Sequence, residues 1–216
     1  AASDVYKRQV IKLGMRKVLV QEMYSVETLA RVDTLCLDKT GTITQGKMTV
    51  ESLHSLSDHF SEQTIQVILS AYMQYSEDTN PTAQAIRKAY GELEHAYTAE
   101  NIIPFSSDRK WGAMHLSNLG TVFLGAPEML LQENPTAVVE AQARGSRVLV
   151  LAHSSELISM QELKLPENLE GIAVIEITDP IREGASDTLE YLRSQGVDLK
   201  IISGDNPVTV LSLIHI

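Results

Sequence analysis

Three short apolar runs, each broken off by polar residues, constrain the fold of this chain more than any other feature. Val32–Leu37 stops at Asp38, Ile172–Ile177 at Thr178-Asp179, and Val197–Ile202 at Ser203-Gly204-Asp205. Short, largely apolar runs of this kind read as buried strands. Between the second and third, Ile181, Ala185, Leu189 and Leu192 recur at helical spacing over Ile181–Gln195, and Gly196 is placed to stop that helix. Strand, helix and strand predict a β-α-β unit. Parallel strands in such a unit deliver their ends to one edge of the sheet, where open α/β sheets bind ligands. Asp38, Asp179 and Asp205 are therefore expected to converge despite their separation in sequence.

The stretch between the first two runs has a different texture. Ile65, Val67, Ile68, Leu69 and Tyr72 give a helical pattern over Ser61–Met73, and Pro81-Thr82 opens a second helix through Ala83, Ile86 and Tyr90. Strand-like pieces follow around Ile102-Ile103, Trp111–Leu116 and Thr121–Leu124, then a helix near Ala137–Ala143 and a strand over Arg147–Ala152. This predicts an α+β domain inserted after the first strand of the α/β unit.

Composition narrows the function. With 216 residues, 44% hydrophobic and 21% charged, the chain has globular composition and room for one large domain or two small ones. Lys+Arg 18 against Asp+Glu 28 leaves a formal charge of -10, which disfavours general attraction to nucleic acid or anionic lipid. No window approaches the ~20 apolar residues of a membrane helix. The single Cys36 cannot form an internal disulfide, and strand periodicity predicts that it points into the sheet core. The six His form no metal-ligand spacing, so zinc is not expected. Trp111, the one tryptophan, is expected as a half-buried strand residue.

Asp38-Lys39-Thr40-Gly41-Thr42-Ile43-Thr44 carries the clearest chemistry. A carboxylate at a strand tip can attack a phosphoryl group while the following Gly-containing turn offers N–H groups and hydroxyls to its oxygens. Carboxylate and phosphate repel, so the attack calls for a cation, and Mg2+ with oxygen ligands is the natural one.

That segment resembles the phosphorylation motif of the P-type cation-transporting ATPases, within the haloacid dehalogenase-like superfamily. Thr178-Asp179-Pro180-Ile181-Arg182 resembles the family's Asp-Pro-x-Arg element, and Ser203-Gly204-Asp205-Asn206-Pro207 is similar to its Thr-Gly-Asp-Asn-Pro loop. Phe105-Ser106-Ser107-Asp108-Arg109-Lys110 and Gly145-Ser146-Arg147-Val148-Leu149 resemble its two nucleotide-contacting segments. The resemblance covers about Val10 to Val210. It implies an incomplete Rossmann-like phosphorylation domain of the haloacid dehalogenase type with an inserted α+β nucleotide-binding domain. Asp38 is then the nucleophile that takes the γ-phosphoryl of ATP, with Lys39 beside it. Thr40 holds that phosphoryl and offers its carbonyl to Mg2+, so the implied metal ligands are Asp38 and Thr40. Ser203 and Gly204 donate to the phosphoryl oxygens, and Asp179, Arg182 and Asp205 position nucleotide and loop. Phe105 stacks on adenine within a segment that includes Ser107, with Lys110 and Arg147 near the phosphates or ribose.

Some positions depart from the family pattern. Many phosphatases of the wider superfamily carry a second Asp two residues after the nucleophile as general acid and base. Thr40 occupies that place here, so an acyl phosphate on Asp38 would persist, which suits a pump better than a phosphatase. Leu124-Gly125-Ala126-Pro127-Glu128 matches a segment that often begins with Lys, and Leu124 offers the nucleotide no charge. Asn80-Pro81-Thr82 matches a family helix start, although Pro at a first helical position is explained by structure alone.

The expected boundaries follow. Residues 1–9 read as a foreign or unstructured end, 10–48 as stalk and first part of the phosphorylation domain, 49–169 as the nucleotide-binding domain, 170–210 as the second, truncated part, and 211–216 as a foreign end. A complete family member also has membrane helices that carry the cation, an actuator domain and a downstream Gly-Asp-Gly-x-Asn-Asp segment. The chain is thus expected to be a cytoplasmic-face piece of a multi-pass protein of the bacterial plasma membrane, inactive in turnover by itself. Its implied partners are ATP, the transported cation and the actuator and membrane domains of the same protein. A nucleotide-binding module without turnover and a soluble phosphatase are the alternatives.

Overall fold

The structure is a computed structural model, and it describes residues 2–22, 24–94, 97–158 and 163–202. In chain order the elements are helices α1 (Ala2–Met15) and α2 (Ser25–Leu29), strand β1 (Thr34–Asp38), a tight turn over Lys39–Ile43, β2 (Thr49–Ser55), α3 (Glu62–Tyr75), α4 (Pro81–Tyr90), β3 (Ala99–Ser106), β4 (Trp111–Leu116), β5 (Gly120–Gly125), α5 (Pro127–Leu130), α6 (Thr136–Ala143), β6 (Arg147–Ser154), β7 (Glu170–Thr178), α7 (Ala185–Ser194) and β8 (Asp198–Ile202). They divide into two units, Ala1–Leu37 with Gly184–Ile202, and Asp38–Glu183.

The larger unit is built on a six-stranded sheet in the order β2-β7-β6-β5-β4-β3. Every neighbouring pair in it is antiparallel. Because side chains alternate across a strand, each strand feeds two cores. Met114, Leu116, Val122, Leu124, Leu151, Ile175 and Ile177 face α3 and α4, with Ile65, Ile68, Leu69 and Ile86 packed on them. Trp111, Ala113, Phe123, Val148, Val150, Ala152 and Val174 face the other way, toward Leu130 of α5 and Val138 and Ala141 of α6. The sheet is therefore a buried central layer. That explains why β5 reads as an unbroken apolar run rather than an alternating one.

The helices start where their capping residues dictate. Ser61 accepts from the Thr64 amide at 3.1 Å and opens α3. Asn80 accepts from the Ala83 amide at 2.9 Å with Pro81 in the first turn, which opens α4. The α6 helix ends in a left-handed Gly145, φ 83°. The Gly145 amide donates to Gln142 O at 2.9 Å and the Ser146 amide to Ala141 O at 3.0 Å, the paired bonds of a Schellman cap.

In the smaller unit β1 and β8 form a two-stranded sheet. Neither strand buries a single residue, and Ile202 is 61% exposed. A two-stranded ladder covers neither of its faces, so the two runs are not the buried strands expected, and Cys36 is exposed rather than in a core. The predicted β-α-β unit is also corrected. Ile172–Ile177 is a strand, but it belongs to the six-stranded antiparallel sheet, so β7 and β8 are not partners in one sheet. That sheet thus extends past the boundary placed at residue 169. The intervening helix begins at Ala185 rather than Ile181, because Ile181 is held in an isolated antiparallel bridge with Thr44 and Gly184 turns the chain at φ 75°. It ends as expected: Gly196, φ 81°, donates to Arg193 O and Val197 to Leu192 O. The helix α1 covers most of residues 1–9, the stretch expected as a foreign or unstructured end. Trp111 is 2% exposed, more buried than predicted. Among the described residues no helix is long and apolar enough to cross a membrane.

Candidate functional site

The Lys39–Ile43 turn begins at Asp38, an exposed residue in extended backbone, and reverses at Gly41, φ 78°. Only glycine takes that conformation without strain. The turn closes on itself through Thr44, whose amide donates to Lys39 O at 3.1 Å. The Thr44 hydroxyl accepts from the Gly41 amide at 3.1 Å.

A second segment grips this turn from outside. Asp179 accepts from the Thr44 hydroxyl at 2.6 Å and from the Gly46 amide at 2.9 Å. The Arg182 side chain donates through Nε to Thr44 O at 2.8 Å and through Nη2 to Gly41 O at 2.6 Å. Backbone bonds from Gln45 to Pro180 O and from Arg182 to Ile43 O, 2.8 and 2.9 Å, complete the pairing. Asp38–Thr44 and Asp179–Arg182 thus come together, with Asp179 and Arg182 spent on the turn's backbone and on Thr44. The sequence reading gave both residues a positioning role but missed Thr44 and Gly46 as what they hold. Thr44 closes the motif already singled out, but nothing local in the sequence pairs it or Gly46 with Asp179.

Beside the turn lies a cavity of about 580 Å³. Lys39, Thr40 and Asp179 line it together with Phe105, Ser107, Lys110 and Arg147. The four residues expected to contact nucleotide therefore share one space with three of the phosphorylation motifs' residues. Tyr72, Met73, Ile86, Leu124 and Leu149 give it an apolar wall. Leu124 is 8% exposed and packs in the core, so the departure from Lys at that position has a structural role on the α3–α4 side of the sheet. Ser203, Gly204 and Asp205 lie outside the described residues.

The turn that carries the Phe105–Lys110 segment is tightly built. Lys110 sits at φ 58°, its amide donates to Ser106 O at 2.7 Å, and its carbonyl accepts from the Ala126 amide at 2.9 Å. Its ammonium meets Glu128 at 3.0 Å. Burial alone would raise the Glu128 carboxyl, but its own backbone N–H and the Lys110 ammonium outweigh that and hold it below the usual range. Arg109 lies over the Trp111 ring at 5.2 Å and donates to Pro104 O at 2.7 Å. Across the cavity, Arg147 Nη1 donates to Thr82 Oγ1 at 2.8 Å. Burial, and secondarily the Asp78 charge, pushes the Tyr72 phenol well above its ordinary value, so it remains a neutral donor in the wall. Thr82 and Glu128 fall in segments noted for their family likeness and Tyr72 in a helical pattern, but none was given a role in the cavity, and Asp78 was not singled out.

Comparison with known proteins adds lineage to this geometry. Residues 32–216 match the family model of the haloacid dehalogenase-like hydrolases. A probable cation-transporting ATPase of Streptococcus pneumoniae is 63% identical over 205 residues, 94% of this chain and 26% of that protein. The calcium-transporting ATPase CtpE of Mycolicibacterium smegmatis is 37% identical over 207 residues, 93% of this chain and 25% of that protein. The chain thus spans about a quarter of the length of these curated relatives. Among solved structures, a zinc-transporting PIB-type ATPase in its E2.Pi state superposes with a TM-score of 0.65 at 24% identity, over 91% of this chain and 30% of that one, a likeness of fold.

Proposed function

The chain belongs to the haloacid dehalogenase-like hydrolase family, and from that membership together with its likeness to cation-transporting ATPases we infer that it is the nucleotide-binding and part of the phosphorylation region of an ATP-driven cation pump. One observation supports the reading: Lys39 and Thr40 of the phosphorylation turn line the same cavity as the residues expected to bind nucleotide, and Asp38, exposed and not itself a lining residue, directly precedes them in the chain. In the whole protein an Asp38 carboxylate oxygen attacks the γ-phosphorus of ATP. A bond from that oxygen to phosphorus forms, the bond from phosphorus to the β,γ-bridging oxygen breaks, and ADP leaves with the electron pair.

The chain's own groups prepare that step. Lys39 and Thr40 flank the approach, and the grip of Asp179 and Arg182 keeps the turn in one shape, so little ordering remains when substrate arrives. Phe105, 40% exposed and lining the cavity, offers a face for adenine. Lys110 and Arg147 bring positive charge toward the phosphates. The Asp38 carboxylate and the Thr40 carbonyl are hard oxygen donors of the class Mg2+ takes, and they are the residues that would hold it with phosphate and water oxygens. Bound there, the ion would neutralise phosphate charge facing the carboxylate. Thr40 supplies no general base, which favours a lasting aspartyl-phosphate over phosphatase turnover. The transported cation, the membrane helices and an actuator domain belong to the rest of the protein, with this region on the cytoplasmic face.

Titration of ATP into the chain, read by calorimetry, tests the nucleotide half. Saturable binding is expected, with Phe105→Ala raising Kd about tenfold, in keeping with ~1–3 kcal/mol for a stacked base. Binding that is absent, or indifferent to Phe105, overturns it. In the whole protein Asp38→Asn is expected to abolish ATP turnover.

A further inference from the structure

The β7 strand carries one residue that the site's chemistry does not use and that the core does not need. Its inner stretch Ile172–Ile177 is apolar except for Glu176, which is 3% exposed. Acids that deep are rare unless paired, and a well-packed apolar residue in their place is often as stable or more so. A retained buried carboxylate therefore points to something it holds in place.

What it holds is the turn between α6 and β6. Glu176 accepts from Ser146 Oγ at 2.7 Å, from Arg144 Nε and Nη2 at 3.2 and 2.8 Å, and from Ser52 Oγ on β2 at 3.0 Å. Two of these three partners bracket Gly145. Register then places the consequence on the opposite face of the sheet. Val148 stands opposite Glu176, and Arg147 stands opposite Ile177. The Glu176 carboxylate lies on the α6 side, whereas Arg147, one residue beyond Ser146, reaches toward Thr82 on α4; Ser146 and Arg147 both line the large cavity, and Glu176 and Arg144 do not.

We propose that Glu176 is a positioning residue for nucleotide binding: by fixing the Arg144–Ser146 turn on one face of the sheet, it sets the aim of Arg147 on the other. The proposal rests on the nucleotide reading above. The Schellman cap at Gly145 closes the helix but leaves the side chains of Arg144 and Ser146 to be placed, and Glu176 places both. A bidentate contact with Arg144 and a short bond to Ser146 restrict the turn from two sides.

The test uses the full 216-residue chain with Glu176→Gln, which keeps the shape but exchanges an acceptor oxygen for a donor facing three donors. Without nucleotide, the Ser146 and Arg147 amides are expected to exchange with solvent roughly tenfold faster in the variant, with the Ala113 amide on β4 unchanged. Equal rates at Ser146 and Arg147 overturn the proposal. With ATP as probe, Glu176→Gln and Arg147→Ala are each expected to raise Kd about tenfold, and the double variant no more than either alone, because both act through one group. A double variant weaker by about a hundredfold, the product of independent effects, overturns it. Arg144→Ala, which removes the bidentate contact at a residue outside the large cavity, should raise Kd about threefold, and it decides the matter if Glu176→Gln fails to fold. Wild-type chain that binds no ATP removes the nucleotide reading and this proposal with it. Wild-type chain that binds ATP no better than Glu176→Gln overturns this proposal alone.

Discussion

Replacing Asp179 by Asn isolates the grip on the phosphorylation turn from the fold that carries it. Asp179 accepts two bonds, at 2.6 Å from Thr44 Oγ1 and at 2.9 Å from the Gly46 amide. Bonds to a charged acceptor contribute ~1.5–3 kcal/mol each when well shielded, and a half-buried carboxylate sits at or below the low end of that range. Asn retains one acceptor oxygen and presents an NH2 where the other bond was. The net loss is about 2 kcal/mol, roughly a thirtyfold change in the local opening equilibrium. The backbone bonds from Gln45 to Pro180 and from Arg182 to Ile43 survive, so the sheet should not notice. Amide hydrogen exchange is the assay: the Gly46 and Gly41 amides should exchange about thirtyfold faster, while those of β4 and β5 keep their rates. Unchanged exchange at Gly46 would refute the claim that the carboxylate, rather than the backbone pairing, fixes the turn.

Two further outcomes follow from packing and charge. A Cβ on Gly125 would lie 2.5 Å from Trp111 Cβ and 2.6 Å from Lys110 O, neither of which can retreat without moving β4. Gly125→Ala should therefore destabilise by about 1–3 kcal/mol, visible as a lower urea midpoint with an unchanged slope, and should quench the Trp111 near-ultraviolet signal. Burial would raise the Glu176 carboxyl, but the Arg144, Ser146 and Ser52 bonds outweigh it and hold it below its ordinary value of 4.5, with Glu51 and His54 lining the same outer hollow. A depressed carboxyl contributes stability that is present above 4.5 and lost as pH falls through the folded-state value. The urea midpoint of wild type should hence drop more steeply on acidification below pH 4.5 than that of Glu176→Gln, and parallel curves would contradict the network.

Much of the inserted domain was legible because helix and strand periods are local properties. Ile65, Ile68, Leu69 and Tyr72 fall on the buried side of α3, and Asn80-Pro81 caps α4 as its chemistry requires. The β2 strand was not legible: Val50 and Leu53 are its only large apolar residues, and a register break between Val50 and Ser52 spoils the alternation that would reveal it. Ile172–Ile177 could be read as a strand but not assigned a sheet, since an apolar run records burial on both faces and not the direction or identity of its neighbours. Four residues expected around nucleotide do line one cavity, yet the Asp179–Thr44 bond joins residues far apart in the chain and leaves no periodic trace.

The pairing of β2 with β7 reaches beyond the sheet. Thr49 stands opposite Thr178, and further out Thr44 bridges Ile181. The two stretches of chain that leave the sheet for the phosphorylation turn therefore run as a two-ply strap, not as separate tethers. The plies are unequal, Thr44 to Thr49 being longer than Thr178 to Ile181, and the extra length is gathered into a kink at Gly46, φ 69°, which the Asp179 carboxylate staples. Slack in one ply is thus taken up by a side chain on the other. The two crossings are locked to each other in length, and a residue added to either one would have to reappear as a wider kink or break the staple.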